Sequence, residues 1–192
     1  MTLQTTMDKE NYIAGLIAGD GHLESQRPRI VIASSNQCYV AYITKLLNDL
    51  NLRFSVFYDA SATVWKVACY SKDFHTKLIE CYDIPSGNKS CTMRAPRVQS
   101  TQIMNFLSGL YDAEGWPEID RKKYLRIRIK MKNRDVSAFI FRSLQERGFR
   151  TTMHDKGDGS FVVNVGKRES VKRFLDEFTL LHPKWISVHD FL

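Results

Sequence analysis

The chain has few of the residues that cross-link small secreted folds or hold zinc. Its 192 residues include four cysteines (Cys38, Cys69, Cys81, Cys91) and five scattered histidines (His22, His75, His154, His182, His189). No CxxC pair occurs, and no cysteine–histidine spacing suits a zinc finger. Nor do the histidines form an HxxxH or HNH arrangement, which argues against a histidine-based nuclease centre. Cys38 and Cys69 fall within periodic apolar segments and are expected to be reduced, core or near-core residues. Long apolar runs are missing too: none approaches the ~20 residues that cross a bilayer. The first eleven residues carry neither a signal-peptide core nor an Arg-rich transit pattern. The expectation is an intracellular protein, in cytoplasm or nucleoid if prokaryotic, with no membrane partner.

The hydrophobic content is 43%, enough for a real core. Net charge is +7 with a pI near 9.3, favouring a polyanionic partner. The excess is lopsided. Residues 1–96 carry 10 Lys/Arg against 9 Asp/Glu, whereas 97–192 carry 18 against 12.

Two segments nearly repeat each other: IAGLIAGDG at 13–21 and LSGLYDAEG at 107–115. Each is an apolar helical run with small residues four apart (Gly15/Gly19 and Gly109/Ala113), closing on an acid and a glycine. The acid is misplaced for a helix, because the C-terminal end carries free carbonyls and the negative pole of the macrodipole. Two such acids, 94 residues apart in matching contexts, suggest a paired metal site.

The flanking patterns repeat as well. In the first half Asp8 caps a helix to about Asp20, followed by strands 21–25 and 29–34 and a helix over Tyr39–Leu50. Strands 53–58 and 63–71 and a helix from Lys72 to about Tyr82 complete it. The second half reads as helix 100–114, strands 118–120 and 124–132, and helix 133–147 stopping at Gly148. Strands 149–154 and 160–166 and helix 168–181 follow. The order αββαββα occurs twice, as an internal duplication would produce. The expected units are 1–83 and 99–192, joined by a turn-rich linker at 84–98. The small-residue stripes would let the two motif helices pack closely, bringing Asp20 and Glu114 together.

These segments resemble the LAGLIDADG homing endonucleases in their monomeric, two-motif form. The first matches that motif at Ala14, Gly15, Leu16, Ile17, Asp20 and Gly21; the second departs at Ser108, Tyr111 and Glu114. The resemblance implies an α+β fold with motif helices packed at a central interface. Curved antiparallel sheets would form a DNA-binding saddle. It also implies a monomeric, sequence-specific endonuclease whose catalytic acids are Asp20 and Glu114, each serving one strand of a double-strand break with short 3′ overhangs. An intron maturase, binding its host intron RNA on the same fold, is the alternative. A transcription regulator on this fold is expected to carry an added DNA-binding domain, for which the two repeats leave no residues.

Two close carboxylates repel, and a divalent cation removes the conflict. Mg²⁺ favours oxygen donors and relies on one or two carboxylates plus substrate phosphates; Mn²⁺ could substitute, and Ca²⁺ would bind without supporting cleavage. The orphan backbone carbonyls of Gly19 and Ala113 are the best-placed additional ligands. Gly21 and Gly115 are expected to end each helix in the left-handed conformation. Asp112, two positions before Glu114, points elsewhere on its helix and is excluded from the site. Several relatives have a glutamine where this chain has Ser34. Lys89, Lys130 and Lys132 are candidates for basic groups at the centre.

The DNA-reading surface is clearest in Tyr124–Lys132. Leu125, Ile127, Ile129 and Met131 alternate with Arg126, Arg128, Lys130 and Lys132, a row of like charge that repels unless it meets anions. Such a face suits a major groove. The first-half counterpart is less charged, offering Arg27, Arg29, Ser34, Lys66 and Tyr70; Asn164 points outward in the second half. Unequal faces imply an asymmetric target. Phe139, Phe141, Phe174 and Phe178 sit at core-like helical positions.

Overall fold

The computed structural model describes residues 3–89, 92–120 and 124–191. The first half contains α1 (Thr6–Asp20), β1 (Gly21–Leu23), β2 (Arg29–Ser34), α2 (Gln37–Asp49), β3 (Phe54–Asp59), β4 (Val64–Tyr70) and α3 (Lys72–Glu80). The second contains α4 (Ile103–Glu114), β5 (Gly115–Asp120), β6 (Tyr124–Met131), α5 (Arg134–Glu146), β7 (Thr151–Asp155), β8 (Phe161–Val165) and α6 (Arg168–Glu177). Each half therefore runs αββαββα, with boundaries close to those the periodicity predicts. Both sheets are antiparallel, in the orders β1-β2-β4-β3 and β5-β6-β8-β7. Their registers correspond, Ile32 pairing Val67 in one sheet and Ile129 pairing Val163 in the other. A 3₁₀ helix over Pro183–Phe191, absent from the sequence expectation, follows α6.

The caps are local chemistry. Thr5, rather than Asp8, caps α1: its hydroxyl accepts from the Asp8 amide at 3.1 Å and the Asp8 carboxylate accepts from the Thr5 amide at 3.0 Å. This reciprocal box uses both side chains and places Asp8 in the first turn. Asn36, Ser71 and Asn133 cap α2, α3 and α5 with a side-chain oxygen that accepts from first-turn amides, without the return bond. Gly148, at φ +76°, ends α5 in the left-handed conformation as expected.

Strand alternation sets the core. Leu125, Ile127 and Ile129 are buried beneath β6, and Val67 and Cys69 beneath β4. Val40, Ile43 and Leu47 of α2, and Val136, Ile140 and Leu144 of α5, cover the same sheets. Phe174 and Phe178 are buried and stacked on each other, and Phe139 and Phe141 pack against the core. Cys38 corrects the sequence expectation: it is exposed, on the face of α2 opposite the apolar stripe, while Cys69 is buried. Cys91 lies outside the described residues. Ile84 and Met93 of the connecting segment are buried, so that segment is packed down rather than looped out. Among the described residues, no helix is long and apolar enough to cross a membrane.

α1 and α4 lie side by side at the centre, fully buried over Tyr12–Ile17 and Phe106–Tyr111. A Cβ on Gly15 would stand 1.8 Å from the Phe106 carbonyl oxygen, and one on Gly109 would stand 1.9 Å from that of Tyr12. Each glycine thus lies against the carbonyl three residues before the other glycine, a two-fold relation written into the interface. Backbone touches backbone, and no side chain fits between.

Candidate active site

Where the motif helices end, each chain turns straight into the first strand of its sheet. Gly21 (φ −84°, ψ 167°) and Gly115 (φ −82°, ψ 156°) are extended, not left-handed as the sequence suggests. Glycine is needed there for space. A Cβ on Gly21 would lie 2.5 Å from the Ile17 Cα, and one on Gly115 would lie 2.6 Å from the Tyr111 carbonyl oxygen. The strand folds back over the last turn, and the residue just before it, Asp20 or Glu114, is left at the helix end between β1 and β5.

The close approach of α1 and α4 brings these acids together. Gly19 has Ala113 and Glu114 against it: a Cβ there would meet the Ala113 Cβ at 2.3 Å and the Glu114 Cγ at 3.0 Å. Both carboxyls are pushed above the usual range, chiefly by desolvation, and the Asp20 charge raises Glu114 further. Asp20 is open to solvent on one side and Glu114 is half-buried. Two carboxyls whose ionisation burial discourages, one of them further opposed by its neighbour's charge, form an oxygen-donor set that a divalent cation would satisfy. No group of three or more His, Cys, Asp or Glu side chains gathers among the described residues, so the donors on offer are these two acids and the helix-end carbonyls.

Two lysines occupy those helix ends. Lys89, from the segment after α3, donates through Nζ to the carbonyls of Ile17, Gly19 and Gly21. Lys184, from the segment after α6, donates to the carbonyls of Asp112 at 2.7 Å and Ala113 at 3.3 Å. Burial lowers the Lys89 ammonium to about 8, opposed by the charges of Glu114 and Asp20. Lys184 is lowered by the same desolvation and opposed by Asp112, Asp20 and Glu114. Cations at a helix C-terminus are favourable, so the lysines answer the misplacement of the acids. Lys89 was legible as a candidate; Lys184 was missed. The available signal was a lysine shortly after the closing helix of each half, hidden because the last helix was read through to Leu181.

A cavity of about 500 Å³ beside Glu114 is lined by Gly19, Lys89, Trp116, Lys130 and Lys132 among others. Lys130 Nζ lies 3.1 Å from Asp158, so its ammonium is already directed along the sheet. Asp112 does not join the acid pair, as expected, yet its carboxylate is 1% exposed and fully engaged with the C-terminal segment.

The basic face of β6 alternates as predicted, but its charges do not stand alone. Arg128 pairs with Glu118 at 2.5 Å and Lys130 with Asp158. In the first sheet Arg29 pairs with Glu24 at 2.8 Å and Lys66 with Asp59 at 2.6 Å. The repulsion along the row is thus offset by acids on neighbouring strands and turns. Arg29 also lies over the Tyr70 ring, 5.6 Å from its centroid, and Tyr70 is exposed. Arg27 is exposed in the β1–β2 turn. Ser34 accepts from the Asn36 amide at 3.1 Å and so serves the β2–α2 turn. Asn164 lies on the outward face as expected, beside Arg128 and Thr152, but is only 7% exposed, its amide donating to Thr152 at 3.3 Å. A short side chain at the middle of the sheet is closed over by its longer neighbours.

Comparison with known proteins is consistent across the chain. Residues 1–104 match the profile of a family described as homing endonuclease, and residues 101–179 match that of a LAGLIDADG-like domain. Homing endonuclease I-DmoI from Desulfurococcus mucosus is 25% identical over 175 residues, covering 84% of this chain and 82% of that protein. A crystal structure of I-DmoI in complex with DNA and Ca superposes with a TM-score of 0.68 at 22% identity, covering 98% of this chain and all of that one. Full-length DUF199/WhiA from Thermatoga maritima superposes at 0.70 with 15% identity; the alignment covers the whole of this chain but 61% of that one. At these identities the superpositions speak for the fold.

Proposed function

Because the chain belongs to the LAGLIDADG homing endonuclease family, we propose that it is a sequence-specific endonuclease that cuts both strands of a long, asymmetric double-stranded DNA site and leaves short 3′ overhangs. The observation that carries this reading is the pair Asp20 and Glu114, at the ends of two helices that meet backbone to backbone at Gly15 and Gly109, with the Asp20 charge felt at Glu114. A DNA-binding relative on this fold has no need of that arrangement.

Asp20 and Glu114 would hold divalent cation together with the scissile phosphates, the Gly19 and Ala113 carbonyls each offering the lone pair their lysine leaves. Mg²⁺ is the proposed ion, with Mn²⁺ as a substitute and Ca²⁺ binding without cleavage. When bound, such an ion activates water and neutralises charge developing on phosphate. The chain's own contribution is positional. Lys89 and Lys184 fix the helix ends and bring positive charge beside the acids, where negative charge would build up on the phosphate and leaving-group oxygens in the transition state. The sheets flanking the acids carry Arg27, Arg29, Lys66, Tyr70, Arg126, Arg128, Lys130, Lys132 and Asn164 as the proposed duplex-binding surface, the more basic half supplying more of the electrostatic grip. Ser34, held in its turn, stands at the edge of that surface.

The test is incubation with a plasmid library of candidate insertion sites and Mg²⁺, followed by mapping of the ends. Asp20→Asn and Glu114→Gln are expected to abolish double-strand cutting while binding persists. Retained cutting in either variant, or loss of binding in both, overturns the reading.

A further inference from the structure

Asp112 has no counterpart in the first half, where the equivalent motif position is Ala18. It is the most heavily hydrogen-bonded buried acid among the described residues, and its donors converge from both halves. Oδ2 accepts from the Tyr12 hydroxyl of α1, from the Leu181 amide at 2.6 Å and from the His182 amide at 3.2 Å; Oδ1 accepts from the Trp185 indole at 2.6 Å. The Tyr12 hydroxyl lies 2.9 Å from that of Tyr39, whose ring meets the His182 ring at 4.6 Å between centroids. Three groups of one short segment, at 181, 182 and 185, are tied to one carboxylate. Within that segment Lys184 alone turns the other way, to the Asp112 and Ala113 carbonyls at the end of α4.

The two lysines are therefore positioned by different devices. Lys89 is gripped at its own ammonium by three carbonyls at the end of α1. Lys184 has two carbonyl acceptors, one of them at 3.3 Å, and relies on its backbone being held. We propose that Asp112 is a positioning residue for Lys184, so that the lysine at the end of α4 depends on Asp112 while the lysine at the end of α1 does not. This rests on the nuclease reading and adds to it an inequality between the two centres: disabling Asp112 leaves an enzyme that nicks one chosen strand.

Asp112→Asn is the natural perturbation, because it keeps the volume and removes the anchor. N–H or O–H donors approach both carboxylate oxygens. Whichever way the amide is turned, its NH₂ therefore faces a donor. The comparison set is Lys184→Met, Lys89→Met and the double variant Asp112→Asn/Lys184→Met. With supercoiled plasmid carrying the mapped site and each strand labelled, Asp112→Asn is expected to accumulate nicked circles in which the same strand always stays intact. Cleavage of that strand slows about 100-fold, the scale of a misplaced catalytic group. Lys184→Met spares the same strand, Lys89→Met slows the other, and the double variant is no slower than Lys184→Met alone. Equal slowing of both strands by Asp112→Asn, or additive losses in the double variant, overturns the proposal.

A second measurement needs no cleavage. In folded protein without DNA, the acylation rate of each lysine is read by mass spectrometry with an amine-reactive ester. Asp112→Asn should raise labelling of Lys184 towards that of an exposed lysine such as Lys132 and leave Lys89 at its wild-type rate. Unchanged labelling of Lys184 overturns the proposal. Should no DNA be cut by the wild type, the function falls while this arm still decides the positioning role.

Discussion

Replacing Gly15 by alanine tests the central interface most directly. The added Cβ would sit 1.8 Å from the Phe106 carbonyl oxygen and 2.9 Å from the Leu110 amide nitrogen. A carbon and a carbonyl oxygen approach no closer than about 3.3 Å without repulsion, so α1 and α4 must part by roughly 1.5 Å. Overpacking a core costs about 1–3 kcal/mol and occasionally more. Here the obstacle is backbone inside a helix, which cannot rotate aside, and about 4 kcal/mol is appropriate on that scale. Alanine returns about 1 kcal/mol of helix propensity. The expected net loss is about 3 kcal/mol, a fall of about 1.5 M in the urea midpoint for a slope near 2 kcal/mol/M. Gly166→Ala is the control, since nothing lies within 4 Å of its would-be Cβ; it should leave the midpoint nearly unchanged. Asp20 and Glu114 ride on the same two helices, so Gly15→Ala should also lose cleavage under conditions where it remains folded. A Gly15→Ala protein as stable as wild type, cutting at the wild-type rate, would refute direct backbone contact as the device that joins the acids.

Other outcomes follow from the charges. Burial, helped by the Lys184 charge, lowers His182 to about 4, below its ordinary 6.5. The folded state therefore binds fewer protons than the unfolded chain between those values, so stability is full above pH 6.5 and falls as the pH drops towards 4. Solvent reaches part of the ring, which limits the loss to about 1–2 kcal/mol; thermal unfolding of wild type against His182→Asn across pH 4–7 measures it, and parallel curves would disprove it. DNA affinity is expected to fall steeply with salt, at roughly −0.9 in log–log slope per phosphate neutralised. Arg128→Ala should weaken specific binding by about 1–3 kcal/mol if the arginine reads a base, or reduce the slope by about 1 if it holds a phosphate. Fluorescence anisotropy over a salt series distinguishes these, and no change in either quantity would remove Arg128 from the surface.

Much of the fold was legible because its signals are local. The alternation of Leu125, Ile127 and Ile129 with Arg126, Arg128 and Lys130 defines a strand and both its faces, since side chains repeat every two residues. Gly15/Gly19 and Gly109/Ala113 mark where two helices can touch, and the acids after them mark the site. The errors also have local causes. Asp8 reads as a cap because aspartate is favoured at that position, and it also closes the box from the third position when a threonine stands three residues earlier. Gly21 and Gly115 were assigned to the left-handed region from their place after a helix, whereas the chain turns directly into a strand and needs glycine for clearance.

What the sequence determined by itself is the repeat, the small-residue contact and the placement of two acids at the ends of the helices that make it, each encoded in spacings of two to four residues. Only the tertiary structure decided what satisfies the helix ends and the charges. Lys184 meets Ala113 across 71 positions and Asp112 meets the Leu181 amide across 69. Arg128 finds Glu118 on the neighbouring strand. A lysine or a carboxylate carries no periodicity of its own. Its role is fixed by whichever orphan carbonyl, amide or counter-charge the folded chain brings within about 3 Å, the reach of a hydrogen bond.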